Sequence, residues 1–279
     1  GNPIDFLKRA DGGIQMSGGG ADIWDTSDQF RFAYKRLSGD GSIVAKIHSL
    51  TPTDPWAKAG VMIREGLHPA STYVFMTATS EGRRAFQHRI LAGSNARSAH
   101  SNAGAVALAL WIKVERKSGN FTGYYSQDGQ NWTICQPDST DLASDSTNPV
   151  RISMANDVHI GLAVTSHNMG ALAIAEFSDV SFTGSVTGDW QVASIGVEQP
   201  SNAAASLYVA VEDDRGHTQS VIHPDPAAVQ TLQWRQWLIP FREFTSAGVS
   251  LSRVKRMSIG VGDPGNPTPG GAGVIYIDD

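Results

Sequence analysis

A chain of 279 residues has room for one large domain or two ordinary ones, and enough length to bury a sizeable core. With 22 Lys and Arg against 27 Asp and Glu, its formal net charge of -5 builds no basic field for nucleic acid or anionic lipid. The single cysteine, Cys135, excludes an internal disulfide and a cysteine zinc site, and no apolar run reaches transmembrane length.

The acids are lopsided, 20 Asp against 7 Glu, and Asp favours turns and caps where Glu favours helix interiors. In chain order, period-two alternation predicts strands over Gln29–Leu37, Ser42–Leu50, Ala59–Arg64, Thr72–Thr79 and Arg84–Ile90. It continues over Ala107–Lys117, Phe121–Ser126, Trp132–Cys135, Val158–Thr165 and Ala171–Phe182. A last group covers Leu207–Glu212, Gln219–His223, Gln236–Pro240, Arg256–Val261 and Val274–Ile277. The connecting phrases SGDG, TPTDP, SQDGQ, DDRG and DPGNPTPGGAG are turn chemistry. Helical candidates are short: Pro226–Thr231, Phe241–Ala247 and Leu251–Lys255. Short strands at this spacing predict an all-β protein of sandwich type. Gly and Ser cluster in Thr183–Trp190, which predicts a boundary between a first sandwich, 21–184, and a second domain, 185–279.

The phrases "GADIWDTSDQFRFAYKRLSGDGSIVAKI", "WAKAGVMIRE", "YYSQDGQNWT", "HIGLAVTSHN" and "AEFSDVSFTG" lie in consistent order between Ala21 and Thr183. Together they resemble the laminin-G-like (concanavalin-like) β-sandwich modules of exported bacterial proteins. The segment from "SLYVAVEDDRG" to "GGAGVIYIDD" resembles the C-terminal half of a carbohydrate-binding jelly roll. The resemblance implies a laminin-G-like sandwich inserted in, or joined to, a partial jelly roll. Residues 1–20 are then expected to pair with the second domain, as a remnant of that jelly roll. It also implies a secreted or cell-surface location and a longer multidomain parent chain.

The candidate chemistry is sparse. "SQDGQNW", Ser126–Trp132, resembles the Asp-box of sialidases, but Asp128 and Gly129 are adjacent, as a hairpin tip requires. No strand carries paired carboxylates at glycosidase spacing, although Glu65 and Glu176 leave a dyad from distant positions open. There is no G-x-S-x-G elbow, and Cys135 has no reactive signature around it. Asp263, Asp278 and Asp279 are oxygen ligands suited to a structural calcium. Trp24 and Trp56 lie in polar loops, where an indole face can stack on a sugar ring, and Arg64, Tyr73, His88 and Arg89 are expected to line one face beside them. The expected function is non-catalytic binding of polysaccharide or cell-surface glycan, with no nucleic acid and no membrane insertion. A glycoside hydrolase or polysaccharide lyase with an unrecognised site, or a structural or adhesive spacer, are the alternatives.

Overall fold

The computed structural model describes residues 6–101, 108–137, 146–196, 205–230, 236–266, 275 and 277, and the chain divides into two compact units, a first of Ile4–Pro200 and a second of Ser201–Asp279 together with Gly1–Pro3. In the first unit the strands are β1 (Leu7–Lys8), β2 (Ile14–Gly20), β3 (Phe30–Leu50), β4 (Lys58–Arg64), β5 (Tyr73–Thr79), β6 (Arg84–Arg89) and β7 (Arg97–Ser101). They continue as β8 (Leu110–Lys117), β9 (Asn120–Ser126), β10 (Thr133–Ile134), β11 (Val150–Arg151), β12 (Asp157–Thr165) and β13 (Asn168–Ile195). Every pairing is antiparallel, so the all-β sandwich expected from the alternation is what forms.

Two long strands serve both layers. The first half of β3 pairs with β12 and with the last part of β13, in a front layer that continues through β4, β5, β6 and β7. Its second half pairs with β8 and with the first part of β13, in a back layer that includes β2 and β9. The chain turns from one layer to the other where Gly41 faces Gly184 and the register of β13 slips between Gly184 and Ser185. Gly184 has φ +84°, and a Cβ there would sit 2.2 Å from the Asp40 carbonyl oxygen. Only glycine fits a corner this tight in the left-handed region.

This corner corrects two expectations. SGDG does not end a strand but bends β3, and the 184/185 boundary falls inside β13, which runs on to Ile195. Turn chemistry marks a sharp change of direction, and here that change occurs without breaking the ladder. Within the N-terminal segment, the part from Leu7 to Gly20 belongs to the first unit: Ile14–Gly20 is a paired strand there, and Leu7 and Lys8 pair with Gln15 and Ile14. Residues 1–5 lie outside the described residues.

Between the layers lies one continuous core. Ala59, Val61 and Ile63 of β4, Val74 and Met76 of β5 and Ile160 and Leu162 of β12 meet Ile43, Ile47, Ile112, Val114 and Phe177 from behind. The alternate residues of the front layer face the other way, yet they too are buried: Met62, Tyr73, Phe75 and Ala163 pack with Ile23, Phe30 and Phe32 in a second cluster. All seven residues of β4 are buried, the signature of a strand covered on both faces.

The second unit contains β14 (Leu207–Asp213), β15 (Thr218–Ile222), β16 (Val254–Val261) and the helix α1 (Arg242–Thr245), with 3-10 turns at Ala228–Gln230 and Leu251–Arg253. The three short helices therefore stand near their expected places, while Gln236–Pro240 forms no strand and Val274–Ile277 falls mostly outside the described residues. Its sheet order is β15-β14-β16, and its small core is Val211, Phe244 and Val249. Asp213 is buried at the end of β14 and accepts N–H bonds from Arg215, His217 and Ser250 at 2.9, 2.9 and 3.1 Å. Glu212 pairs with Lys255 and Arg256, and Asp214 with Arg253, so the acidic run is structural.

Candidate functional site

The expected binding residues separate into an interior group and a surface group. Arg64 and Arg89 lie on the outward face of the front layer, fully buried, where they meet a fully buried Asp28. Arg64 Nη1 donates to Asp28 Oδ2 at 2.6 Å, and Arg89 forks onto both oxygens at 2.7 Å each. Their other N–H groups donate to the carbonyls of Gly66, His68, Pro69, Ser71, Ser94, Trp24 and Asp25. The surplus cation is thus solvated by loop carbonyls and lies over the ring of Tyr73, 5.6 and 5.0 Å from its centroid.

That network ties the segments around 24–28, 66–71 and 94 down onto the sheet. The open face expected from Arg64, Tyr73 and Arg89 is therefore corrected: loops close over it, and burial pushes the Tyr73 hydroxyl well above its usual range. His88 is not on that face. It follows Gln87 and precedes Arg89 in β6, and period two turns it to the opposite side, with Nε2 2.8 Å from Ser146 Oγ.

Trp24 and Trp56 behave differently. Both are half-buried at the surface, and they come together across one lysine: Lys58 Nζ lies 5.7 Å from the centroid of each indole. The Lys58 side chain is 2% exposed, and its ammonium donates to Asp22 Oδ1 at 2.5 Å. Asp22 Oδ2 lies 3.3 Å from His167 Nε2, and the other ring nitrogen, Nδ1, lies 3.0 Å from Asp54 Oδ1. Asp54 Oδ1 also accepts the Trp56 N–H at 2.7 Å, and Asp22 Oδ1 the Ile23 N–H at 2.7 Å. A chain Lys58–Asp22–His167–Asp54 therefore links the loop before β3, the loop before β4 and the turn between β12 and β13. The guanidinium of Arg83 stands 5.1 Å from the Trp56 centroid, and His100 meets that indole edge-on at 6.3 Å.

The charges in this patch offset one another. Burial lowers the Lys58 ammonium, and Asp22 opposes that shift. Burial also pushes Asp22 upward, but His167 and Lys58 outweigh it and hold the carboxyl below its ordinary value. The bond to Asp22 raises His167, against the effect of its partial burial. Asp22, Asp54, Lys58 and His167 were not among the residues the sequence pointed to. The signal for two of them is a repeated D-x-W, Asp22-Ile23-Trp24 and Asp54-Pro55-Trp56.

A second polar group stands elsewhere on the front layer. Tyr34 and Arg36 alternate on β3, and His159 of β12 pairs directly with Arg36 and meets the Tyr34 ring edge-on at 4.8 Å. Burial and the nearby charge of Arg36 hold His159 below its usual value, so its ring is neutral at neutral pH. Its Nδ1 is buried with no hydrogen-bond partner among the described residues.

The remaining candidates are structural. In "SQDGQNW", Gly129 turns at φ +73°, its N–H donates to Ser126 Oγ at 2.9 Å, and Asp128 Oδ1 accepts from Gln130 and Asn131 at 2.8 and 2.7 Å. Trp111 underlies this tip: a Cβ on Gly129 would sit 3.0 Å from its indole nitrogen. Glu65 accepts the Ala155 N–H at 2.9 Å, and Glu176 pairs with Arg9 at 2.6 Å, so the two carboxylates serve different structural partners. Burial pushes the Cys135 thiol up to about 12, which keeps it inert. Asp263 caps its own turn through Gly265 N–H at 2.8 Å; Asp278 and Asp279 lie outside the described residues. Among the described residues no group of three His, Cys, Asp or Glu is placed to hold a metal.

No family model matches this chain, and no curated protein matches it. Among solved structures it is similar to a functionally unknown protein from Saccharomyces cerevisiae, at 15% identity and TM-score 0.49, over 66% of this chain and 94% of that one. A xylan β-1,4-xylosidase from Bacillus halodurans C-125 aligns at 18% identity and TM-score 0.39, over 62% of this chain and 33% of that one. An alginate lyase from Klebsiella pneumoniae aligns at 11% identity and TM-score 0.37, over 64% and 84%. The chain thus spans a third of the xylosidase. Likeness at this level carries no substrate or reaction over to the present protein.

Proposed function

We propose that the first unit is a carbohydrate-binding module whose ligand rests on the Trp24–Trp56 patch. The observation that supports it is the placement of two half-exposed indoles on one buried ammonium, with Asp22, Asp54 and His167 beside them. An indole presents a flat apolar surface to the CH face of a pyranose, and polar groups beside it bond the hydroxyls. The opposed charges of Lys58, Asp22, His167 and Asp54 leave little net field, which suits a neutral glycan. On this reading each site is weak, and repetition in a longer exported chain supplies the avidity. A structural calcium near Asp263, Asp278 and Asp279 remains part of this proposal and is tested by the effect of a chelator on thermal unfolding.

The test is affinity electrophoresis and calorimetry against a panel of neutral and uronate polysaccharides. Trp24→Ala and Trp56→Ala are expected to weaken binding at least tenfold each, about 1.4 kcal/mol, the size of a hot-spot truncation. Retention of no polysaccharide by the intact chain overturns the reading and leaves the spacer alternative.

One observation favours a second reading, an enzyme that cleaves glycan: the neutral, buried His159 between Tyr34 and Arg36. A neutral imidazole beside a hydroxyl and a guanidinium has the parts for proton transfer next to a stabilised anion. Release of reducing or unsaturated ends from a soluble polysaccharide, abolished in His159→Ala, is its expected outcome; a panel in which every polymer stays intact removes it.

A further inference from the structure

We propose that His167 is a pH-controlled latch on the Trp24–Trp56 patch, joining the two tryptophan loops only while its ring carries both protons. The inference deepens the carbohydrate-binding reading and rests on it for its purpose, while its geometry stands in the ligand-free chain.

Each ring nitrogen of His167 faces a carboxylate oxygen, Nε2 to Asp22 at 3.3 Å and Nδ1 to Asp54 at 3.0 Å. A carboxylate only accepts, so both contacts are attractive ion pairs only for the imidazolium; a neutral ring has one N–H and turns a lone pair on the other oxygen. The two acids belong to different loops, and each is fixed to the start of its own D-x-W: Asp54 by the Trp56 N–H, Asp22 by the Ile23 N–H. The ring is set between them by an unusual backbone. His167 has φ +51°, in the two-residue turn between β12 and β13, and Ser166 Oγ closes that turn by donating to the Asn168 carbonyl at 2.7 Å. A side chain held in the left-handed region at a surface cluster is the kind of strained position that function exploits.

The charged groups facing the ring are Asp22 from the loop before β3, Asp54 from the loop before β4 and, behind Asp22, Lys58 of β4. Asp22 keeps Lys58 when the ring loses its second proton, whereas Asp54 has no other ion-pair partner among the described residues. Deprotonation therefore loosens the Trp56 loop relative to Trp24. The sign follows from the raised His167: its contribution is complete below the ordinary histidine range and is lost as pH rises through the higher value it has in the folded chain.

The test is an NMR titration of the ligand-free full chain from about pH 5 to 9, ordinary histidine lying at about 6.5. It follows the His167 ring together with the indole N–H signals of Trp24 and Trp56. The expected result is a His167 midpoint above the ordinary value, with both indoles shifting at that same midpoint; Asp54→Asn brings the midpoint down, and His167→Gln leaves both indoles flat. Indoles that stay flat in the unaltered chain, titrate at another midpoint, or keep titrating in His167→Gln overturn it. Should His167→Gln not fold, Asp54→Asn decides: an unchanged midpoint rejects the latch. No glycan enters the experiment, so a chain that shows the coupled titration but retains no polysaccharide keeps the latch and loses the binding reading.

Discussion

Asp28 is the residue on which the covered face of the front layer depends. Among the described residues it is the one carboxylate that both Arg64 and Arg89 reach, and all three are fully buried. Removing it leaves two desolvated guanidinium groups with carbonyl partners only. Asp28→Ala is expected to cost about 3–5 kcal/mol, the usual penalty for breaking a buried pair on one side, read as a lower midpoint in urea unfolding. Arg89→Lys should not substitute, because a lysine ammonium cannot fork onto both oxygens of Asp28; an unfolding midpoint equal to that of the unaltered chain would contradict the role given to the fork. Sequence reading found both arginines and Tyr73 but misjudged their position. Alternation shows that Arg64 shares a face with Met62 and Lys58, and it cannot show that loops before β3 and after β4 fold over that face.

At the scale of elements, the period-two pattern located most strands and the three short helices, because alternation reports which face meets a core. It missed β2, where SGGG near its end hides the pattern, and β7, whose ARSAHS is polar although the strand is largely buried. The glycine-rich phrases were legible as sharp bends but not as bends inside one ladder, since pairing partners such as Gly41 and Gly184, 143 residues apart, leave no local trace. Gly184→Ala tests the corner: at φ +84° and 2.2 Å from the Asp40 carbonyl oxygen, an added methyl is expected to destabilise by at least about 1–3 kcal/mol, measured by thermal unfolding. The hairpin tip has a pH signature. Bonds from the Asn131 and Gln130 N–H groups and from Ser126 hold the Asp128 carboxyl well below the usual carboxylate range. Its contribution is therefore present above the ordinary Asp value and is lost only as pH falls through the lower folded one. Amide signals of Gly129, Gln130 and Asn131 should stay unchanged at pH 3, where unbonded carboxyls are largely protonated, and a shift centred near pH 4 would refute the cap.

For the whole molecule, the all-β sandwich class was readable in outline, and among the described residues the first unit packs a far larger core than the second. Hydrogen exchange should reflect the difference in their cores. Among the described residues, β14, β15 and β16 stand on a cluster of only Val211, Phe244 and Val249, and Met257 and Val261 are 67% and 51% exposed, so their amides are expected to exchange far faster than those of β4 and β12. The candidate site was half legible. Trp24 and Trp56 were identifiable from their polar loops, whereas the ion chain between them joins residues 22, 54, 58 and 167, which only the fold assembles. The central claim is that those two indoles form one ligand platform, and calorimetric titration with a polysaccharide retained by the intact chain tests it most directly. Binding weakened at least tenfold in both Trp24→Ala and Trp56→Ala, with unfolding midpoints showing each variant folded, is the predicted result. Undiminished affinity in two folded variants would contradict it.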